Sequence, residues 1–220
     1  MTKGGILIVE GARCSGKTSV LNLVRSQLTE HGFFVVQHVA PRWSSFELNI
    51  RKEERTDPEL RRMFFDITVA EEVRTASEVA TQGGFYLFDR MVISDMACRR
   101  WSYDYCIRKF LLDFVVPSGI SFVVAVLGVT QQAYNERFTL REKCTPPCVD
   151  IPAENTALWE SATAFHKTVR LSRPGLEVVT LLLDSTKHTP DVLSNVLSRA
   201  LRGKNLSKEV LSGEVTFNLH

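Results

Sequence analysis

The fold of this chain is decided by the stretch Gly11-Ala12-Arg13-Cys14-Ser15-Gly16-Lys17-Thr18, which fits the pattern G-x-x-x-x-G-K-[ST] at every required position. The apolar run before it, Gly5 to Glu10, is typical of a buried strand. The segment after it, Ser19 to Glu30, carries apolar residues on one face of a helix. A strand, a glycine loop and a helix in this order predict a phosphate-binding loop, because backbone N–H groups and the positive end of the helix would face the phosphates.

The same pattern assigns chemical roles within the loop. Glycine tolerates the backbone angles that let a chain wrap closely around an oxyanion. We expect residues 11–18 to bind the triphosphate of ATP, with Lys17 reaching the β- and γ-phosphates and the Thr18 hydroxyl ligating Mg²⁺. Arg13 could add positive charge at the group that is transferred. Cys14 is either an inert side chain or a thiol that is sensitive to oxidation beside the nucleotide.

Composition and charge limit the function classes. The chain has 220 residues, 27 Lys and Arg against 25 Asp and Glu, and a net charge of +2. This balance gives no electrostatic footprint for nucleic acid. No apolar run approaches the roughly 20 residues that span a bilayer, and the first strand begins too early to leave room for a signal peptide. With five scattered cysteines, these features predict a cytoplasmic protein with reduced thiols and no membrane contact.

Further strands alternate with helices along the chain. The strands are predicted at Phe33–Val39, Phe85–Arg90, Phe122–Leu127 and within Gly175–Asp184. The helices are predicted at Leu60–Thr81, across most of Met91–Val116, and at Gln131–Lys143, Ala153–Arg170 and Thr189 to about Arg202. This alternation predicts an α/β fold, a three-layer sandwich of the P-loop NTPase type with a five-stranded parallel sheet and helices on both faces. We expect one domain over residues 1–202 and a C-terminal tail over 203–220.

The third predicted strand ends on Asp89 and Arg90. Ligands of open α/β sheets bind beyond the carboxyl ends of the strands, so both side chains would lie beside the phosphate loop. An aspartate there can hold the Mg²⁺ shell or take a proton from an attacking hydroxyl. The neighbouring arginine can neutralise phosphate charge. We therefore expect Thr18 and Asp89 to organise Mg²⁺, and Arg90 to hold the phosphate of the acceptor.

A second motif narrows the class of protein. The residues from Asp89 to Ala97 read Asp-Arg-Met-Val-Ile-Ser-Asp-Met-Ala, and they resemble the D-R-Y-x-x-S-x-x-A segment of thymidylate kinases. Val9-Glu10-Gly11 resembles the F-E-G opening of that family's phosphate loop, and Met63-Phe64-Phe65 lies where the family has L-L-F-A-A-D-R. Leu183-Asp184-Ser185, with Pro190-Asp191-Val192 after it, resembles the family's final strand and closing helix. The resemblance covers most of residues 5–202.

This resemblance implies ATP-dependent phosphorylation of a deoxynucleotide, with dTMP as the leading acceptor. It also implies a homodimer and a lid around residues 131–150 that excludes water. The lid would carry Arg137, Arg141 and Lys143, of which the two arginines join Arg13, Lys17, Asp89 and Arg90 as the expected catalytic residues. The acceptor would be bound by Glu10, Phe65, Arg90 and Ser94.

Several positions depart from the family's pattern on the acceptor side. The substrate-binding arginine of L-L-F-A-A-D-R falls on Val69, and the acid before it falls on Thr68. The tyrosine that follows D-R is Met91. We still count Thr68 and Val69 among the candidate substrate-binding residues, because they occupy the family's positions. Arg42 could take over part of this role after the second strand, and Arg74 is the nearest arginine downstream of Val69.

Aromatic and cysteine residues suggest two further sites. A flat surface for a nucleobase could come from Phe65, Trp43 or Phe46, although aromatic residues are more often part of a core. Cys144 and Cys148 flank two prolines, but the chain offers no matching second pair, so we expect no metal there.

Two other classes of protein stay open. The deoxynucleoside kinases also have a phosphate loop and an acid–arginine segment. Ala40 occupies the place of their general-base glutamate, so Asp89 or Glu10 would have to serve instead. An enzyme with relaxed or dual acceptor choice would also fit. The third interpretation is a non-catalytic nucleotide-binding protein, because Val69 and Met91 break the family pattern.

Overall fold

Five parallel strands form one sheet in the computed structural model, which describes residues 4–38, 57–98 and 101–203. The strands are β1 (Gly5–Gly11), β2 (Val35–His38), β3 (Phe85–Asp89), β4 (Ser121–Gly128) and β5 (Glu177–Asp184), in the order β2-β3-β1-β4-β5. The helices of the described ranges are α1 (Lys17–Glu30), α2 (Pro58–Thr81), α3 (Val92–Ala97), α4 (Tyr103–Asp113), α5 (Gln131–Glu142), α6 (Ile151–Ser172) and α7 (Pro190–Leu201). The predicted α/β class and five-stranded parallel sheet are confirmed.

Strand β1 lies at the centre of the sheet and is buried along its whole length. Ile8 is opposite Phe88 of β3 on one side and Val124 of β4 on the other. Because all the strands run in one direction, their carboxyl ends meet at a single edge. The loop that follows β1 therefore shares this edge with Asp89, the last residue of β3.

Alternate side chains of the strands enter two separate cores, as the pleat of a strand requires. Ile6 and Ile8 belong to a core shared with α2, α3, α4 and α6, whereas Leu7 and Val9 belong to one shared with α1 and α7. Helices therefore cover both faces of the sheet. The first core contains an aromatic cluster with ring centroids 4.8 to 6.1 Å apart, formed by Phe110, Phe114, Phe122 and Phe165.

The segment Met91–Val116 is largely helical, as predicted, but it is divided into two helices. Helix α3 is six residues long, and five residues lie between its end and the start of α4. The hydroxyl of Ser102 accepts a hydrogen bond from the N–H of Tyr105 at 3.3 Å, which caps the start of α4. Serine at this place favours a new helix start over continuation, because its hydroxyl satisfies an N–H group that has no helical partner.

Some sequence predictions concern residues that lie outside the described ranges. These residues are Ala40, Arg42, Trp43, Phe46 and the tail beyond residue 203. Among the helices of the described ranges, none combines the length and the apolar character that crossing a bilayer requires.

The aromatic cluster gives a prediction about stability. Phe165 is fully buried, and its ring meets that of Phe110 edge-on at 4.9 Å between centroids. Phe165→Ala should lower the free energy of unfolding by about 3–5 kcal/mol, because it removes apolar contacts and leaves a cavity. Urea denaturation measures the loss. Leu171→Ala, on the same helix but 73% exposed, should cost less than about 0.5 kcal/mol, and equal losses in the two variants would contradict the prediction.

Candidate active site

The loop between β1 and α1 is a tight turn with three residues at positive φ. These are Gly11 (φ 151°), Cys14 (φ 62°) and Gly16 (φ 88°). A Cβ atom at Gly11 would lie 2.6 Å from Ser15 Oγ and 2.7 Å from the carbonyl oxygen of Leu127 on β4. Glycine is therefore required at this position for space as well as for backbone conformation.

Helix α1 begins differently from most of its neighbours. Its N-cap is Gly16, which offers no side chain to the free N–H groups, and its first turn contains no acidic residue. Five other helices begin on a side chain that accepts such a hydrogen bond, at Asp57, Ser102, Thr130, Asp150 and Thr189. The positive end of α1 is therefore not neutralised by its own sequence, which is the condition for binding an anion there.

Lys17 lies against the inside of this loop. Its Nζ donates hydrogen bonds to the carbonyl oxygens of Gly11 and Ala12, both at 2.8 Å, and the residue is almost fully buried. Burial, together with the nearby charge of Arg90, lowers the pKa of Lys17 from 10.5 to about 8. An anionic ligand would stabilise the charged form of this ammonium group.

The hydroxyl of Thr18 donates a hydrogen bond to Asp89 Oδ2 at 2.6 Å. This contact brings together the two residues that the sequence predicts as Mg²⁺ ligands, although they are 71 positions apart. A hydroxyl and a carboxylate oxygen suit Mg²⁺, which takes one or two protein oxygens and completes its shell with water and substrate phosphates. The described ranges contain no group of three or more His, Cys, Asp and Glu residues suited to hold a metal ion by themselves.

A buried carboxylate braces the turn that carries Arg90. Glu10 is fully buried and accepts hydrogen bonds from the N–H of Met91 at 2.8 Å and from Ser94 Oγ at 2.5 Å. Arg90 has φ 71°, and its N–H donates to the carbonyl oxygen of Val9 at 3.0 Å. Glu10 and Ser94, both predicted to bind substrate, are therefore hydrogen-bonded to each other.

Burial dominates the ionisation of Glu10. It raises the pKa of Glu10 from 4.5 to about 7, against the opposing effects of its two hydrogen bonds and of the nearby Arg90 and Lys17 charges. The site thus holds a carboxyl group that changes its charge near neutral pH.

Helix α5, the predicted lid helix, is in contact with the glycine loop between β1 and α1. Arg137 Nη1 donates to the carbonyl oxygen of Cys14 at 3.3 Å, and its Nη2 donates to that of Ser185 at 2.5 Å. Arg13 Nη2 pairs with Glu142 Oε1 at 2.6 Å, and its guanidinium lies over the ring of Phe138 at 4.9 Å. Two of the predicted catalytic arginines therefore join the loop to α5 and to the end of β5.

The second arginine predicted on α5, Arg141, has a different environment from Arg137. Arg141 is exposed and its Nε lies 3.4 Å from the same Glu142 oxygen that pairs with Arg13. Lys143 ends α5 in a left-handed conformation. Closure of residues 131–150 as a lid stays a prediction.

The predicted acceptor residues on α2 lie in or beside the core. Phe65 and Val69 are buried, and Thr68 is half-buried. The Phe65 ring stacks with that of Tyr105 at 6.1 Å. Arg74 is exposed on a surface groove beside the end of α4, about 13 Å further along the helix axis from Phe65.

A pair of His38 and Glu72 at the carboxyl edge of the sheet was not predicted from the sequence. His38, the last residue of β2, has its Nε2 2.8 Å from Glu72 Oε1 on α2. The position of His38 near the end of a predicted strand could have suggested a site residue. Glu72 could not be singled out as its partner, because its helix contains several exposed acidic residues.

The cysteines show no sign of a paired function in the described ranges. All five are free thiols, with Cys14 half-buried and Cys144 and Cys148 exposed. Cys14 packs at the edge of the small core formed by Ala12, Val129, Ala133, Tyr134, Phe138 and Ile151.

No protein-family model matches this chain, and no curated protein matches it.

The raised pKa of Glu10 predicts a dependence of stability on pH. The Glu10 carboxyl loses its proton near pH 4.5 in the unfolded chain but only near pH 7 in the folded chain. The contribution of Glu10 to the free energy of unfolding is therefore complete below pH 4.5 and falls as the pH rises to about 7. The fall attributable to Glu10 is on the order of 3 kcal/mol. Glu10→Gln, which cannot ionise, should remove it.

Urea denaturation of the wild type and the variant between pH 4.5 and 7.5 measures this difference. Glu160→Gln replaces an exposed glutamate on α6 and should leave the curve of the wild type unchanged. Parallel curves for the wild type and Glu10→Gln would show that the buried carboxyl has no such role.

Proposed function

We propose that this protein transfers the γ-phosphoryl group of Mg-ATP to a deoxynucleotide, with dTMP as the leading acceptor. The observation that carries the proposal is the meeting of Thr18 and Asp89 at 2.6 Å, beside the buried Lys17 and the turn at Arg90. A parallel sheet with a glycine loop after its central strand supports a P-loop NTPase sandwich.

The donor side is supported by the geometry of the loop. The uncapped start of α1 offers N–H groups to the phosphates, and the Lys17 ammonium would turn from two carbonyl oxygens toward the β- and γ-phosphates. Bound Mg²⁺ would neutralise charge on these phosphates, and Thr18 with Asp89 would hold it.

The acceptor side is supported by the turn after β3. Arg90 would bind the acceptor phosphate by charge-assisted hydrogen bonds, and Glu10 with Ser94 would keep that turn in place. The likeness of Asp89 to Ala97 to the thymidylate kinase segment supports dTMP among the possible acceptors.

Catalysis of this transfer is mainly a matter of position and charge. The loop and Arg90 would hold donor and acceptor in line, so that a phosphate oxygen of the acceptor attacks the γ-phosphorus as ADP leaves. Arg13 would have to leave Glu142 to reach the transferred group, and Arg137 would keep α5 against the loop. Closure of residues 131–150 would keep water from accepting the phosphoryl group.

We also propose, on the resemblance and on the composition, a cytoplasmic homodimer that does not act on nucleic acid.

A second candidate function is that of a deoxynucleoside kinase. The observation that favours it is the pair of His38 and Glu72, which supplies a possible base that Ala40 cannot.

Lys17→Ala tests the donor site. Removing the ammonium should reduce kcat/KM for ATP-dependent turnover by about 10²-fold or more, because a charge-assisted contact to the transferred group is lost. A coupled assay for ADP release measures the effect, and circular dichroism checks the fold. Lys167→Ala removes an exposed lysine on α6 and should keep the wild-type rate. Wild-type turnover by Lys17→Ala would refute the role assigned to Lys17.

A panel of acceptors tests the reaction itself. Each of the four common deoxynucleosides is compared with its 5′-monophosphate in the ADP-release assay. Release with dTMP but not with thymidine is expected for a thymidylate kinase, and the reverse is expected for a nucleoside kinase. Absence of any acceptor-dependent release would favour a non-catalytic nucleotide-binding protein and would reject phosphoryl transfer.

A further inference from the structure

His38 lies where an acceptor-side group would be expected. It is the last residue of β2, and its register partner on β3 is Phe88, the residue before Asp89. The rings of His38 and Phe88 are 6.0 Å apart. Since Phe88 belongs to the core under α2 and α3, His38 lies on the same face of the sheet as Glu10.

Glu72 determines which nitrogen of His38 can take a proton. Its carboxylate lies 2.8 Å from Nε2, and an ionised carboxylate only accepts hydrogen bonds, so Nε2 carries the hydrogen of the neutral ring. The lone pair is then on Nδ1. This atom is buried and has no hydrogen-bond partner among the described residues.

An unsatisfied buried acceptor is costly, and a ligand that donates a hydrogen bond would remove this cost. The side chains of His38 and Glu72 are only 16% and 12% exposed, so the imidazole is held in one orientation and shielded from bulk water. A histidine oriented by a carboxylate through one nitrogen, with the other nitrogen free, is the arrangement of a general base.

We propose that His38, oriented by Glu72, is the general base for an acceptor hydroxyl, so that nucleosides are substrates of this site. The inference rests on the proposed transfer from Mg-ATP and names a further acceptor class. It assigns His38 as a catalytic residue and Glu72 as a positioning residue.

The hydroxyl proton of the nucleoside passes to Nδ1 of His38, while the hydroxyl oxygen forms a bond to the γ-phosphorus. The bond from the γ-phosphorus to the β–γ bridging oxygen breaks, and its electron pair leaves with ADP. The imidazolium that forms is balanced by the Glu72 carboxylate and gives its proton to water when the products leave.

A monophosphate acceptor makes no such demand. Its attacking phosphate oxygen has already lost its proton, so no base is needed. Loss of His38 should therefore affect the two acceptor classes differently. If the His38–Glu72 pair only held β2 against α2, loss of His38 would lower the turnover of both acceptor classes equally.

The experiment uses three variants of the full chain with matched nucleosides and monophosphates. His38→Gln places an amide where Nε2 was, which keeps a donor for Glu72 and removes Nδ1. Glu72→Gln removes the charge that fixes the ring. His31→Gln replaces an exposed histidine after α1 and is the control. Steady-state ADP release at saturating Mg-ATP gives kcat and KM, and circular dichroism confirms that each variant is folded.

We expect the wild type to phosphorylate at least one deoxynucleoside. His38→Gln should lower kcat for that nucleoside by about 10²-fold or more and change kcat for the monophosphate by less than about twofold. Glu72→Gln should show the same selective loss to a smaller extent, and His31→Gln should show none.

Three outcomes would overturn the proposal. They are turnover of monophosphates alone by the wild type, equal losses for both acceptor classes in His38→Gln, and unchanged nucleoside turnover in that variant. The first outcome leaves phosphoryl transfer to a deoxynucleotide standing. Absence of ADP release with every acceptor would instead reject the proposed function together with the base.

Discussion

One buried carboxylate fixes how the carboxyl edge of the sheet is built. Glu10 leaves the central strand and accepts hydrogen bonds from both the backbone and a side chain at the start of α3. Burial raises the pKa of this carboxyl group to about 7, and the two hydrogen bonds oppose the rise because they favour the charged form. Arg90 has a positive φ in the turn between β3 and α3. The hydrogen bonds that Glu10 accepts from the residues that follow stabilise this turn. Glu10 therefore connects the end of β1, where the glycine loop begins, to the turn that follows β3.

The fold was largely predictable because its signals are local. Apolar, β-branched runs mark the strands, and the glycine pattern after β1 fixes where a loop must turn into a helix. The register of β1 between β3 and β4 then follows from burial on both faces. The break between α3 and α4 was not predicted, because apolar residues occur on both sides of it. Only the structure shows that the Ser102 hydroxyl caps the second of these helices.

The site was predictable only in part, because its partners are far apart in the sequence. Thr18 and Asp89 were found through the positions that the motif and the strand end give them. The pairing of Arg13 with Glu142 spans 129 positions, and no local pattern connects the two. The same holds for His38 and Glu72. A motif identifies which residues face a ligand, whereas the contacts that orient them arise from packing between distant elements.

The uncapped start of α1 has a thermodynamic consequence for the whole fold. Its first-turn N–H groups and Lys17 make the electrostatic potential at the start of α1 positive, and no acidic residue in the first turn offsets it. Any polyanion that occupies this place only in the folded state stabilises that state by mass action, in proportion to the logarithm of its concentration above the dissociation constant. With the loop empty, the folded state would therefore be less stable than with a polyanion bound, by an amount that depends on the concentration of that anion relative to its dissociation constant.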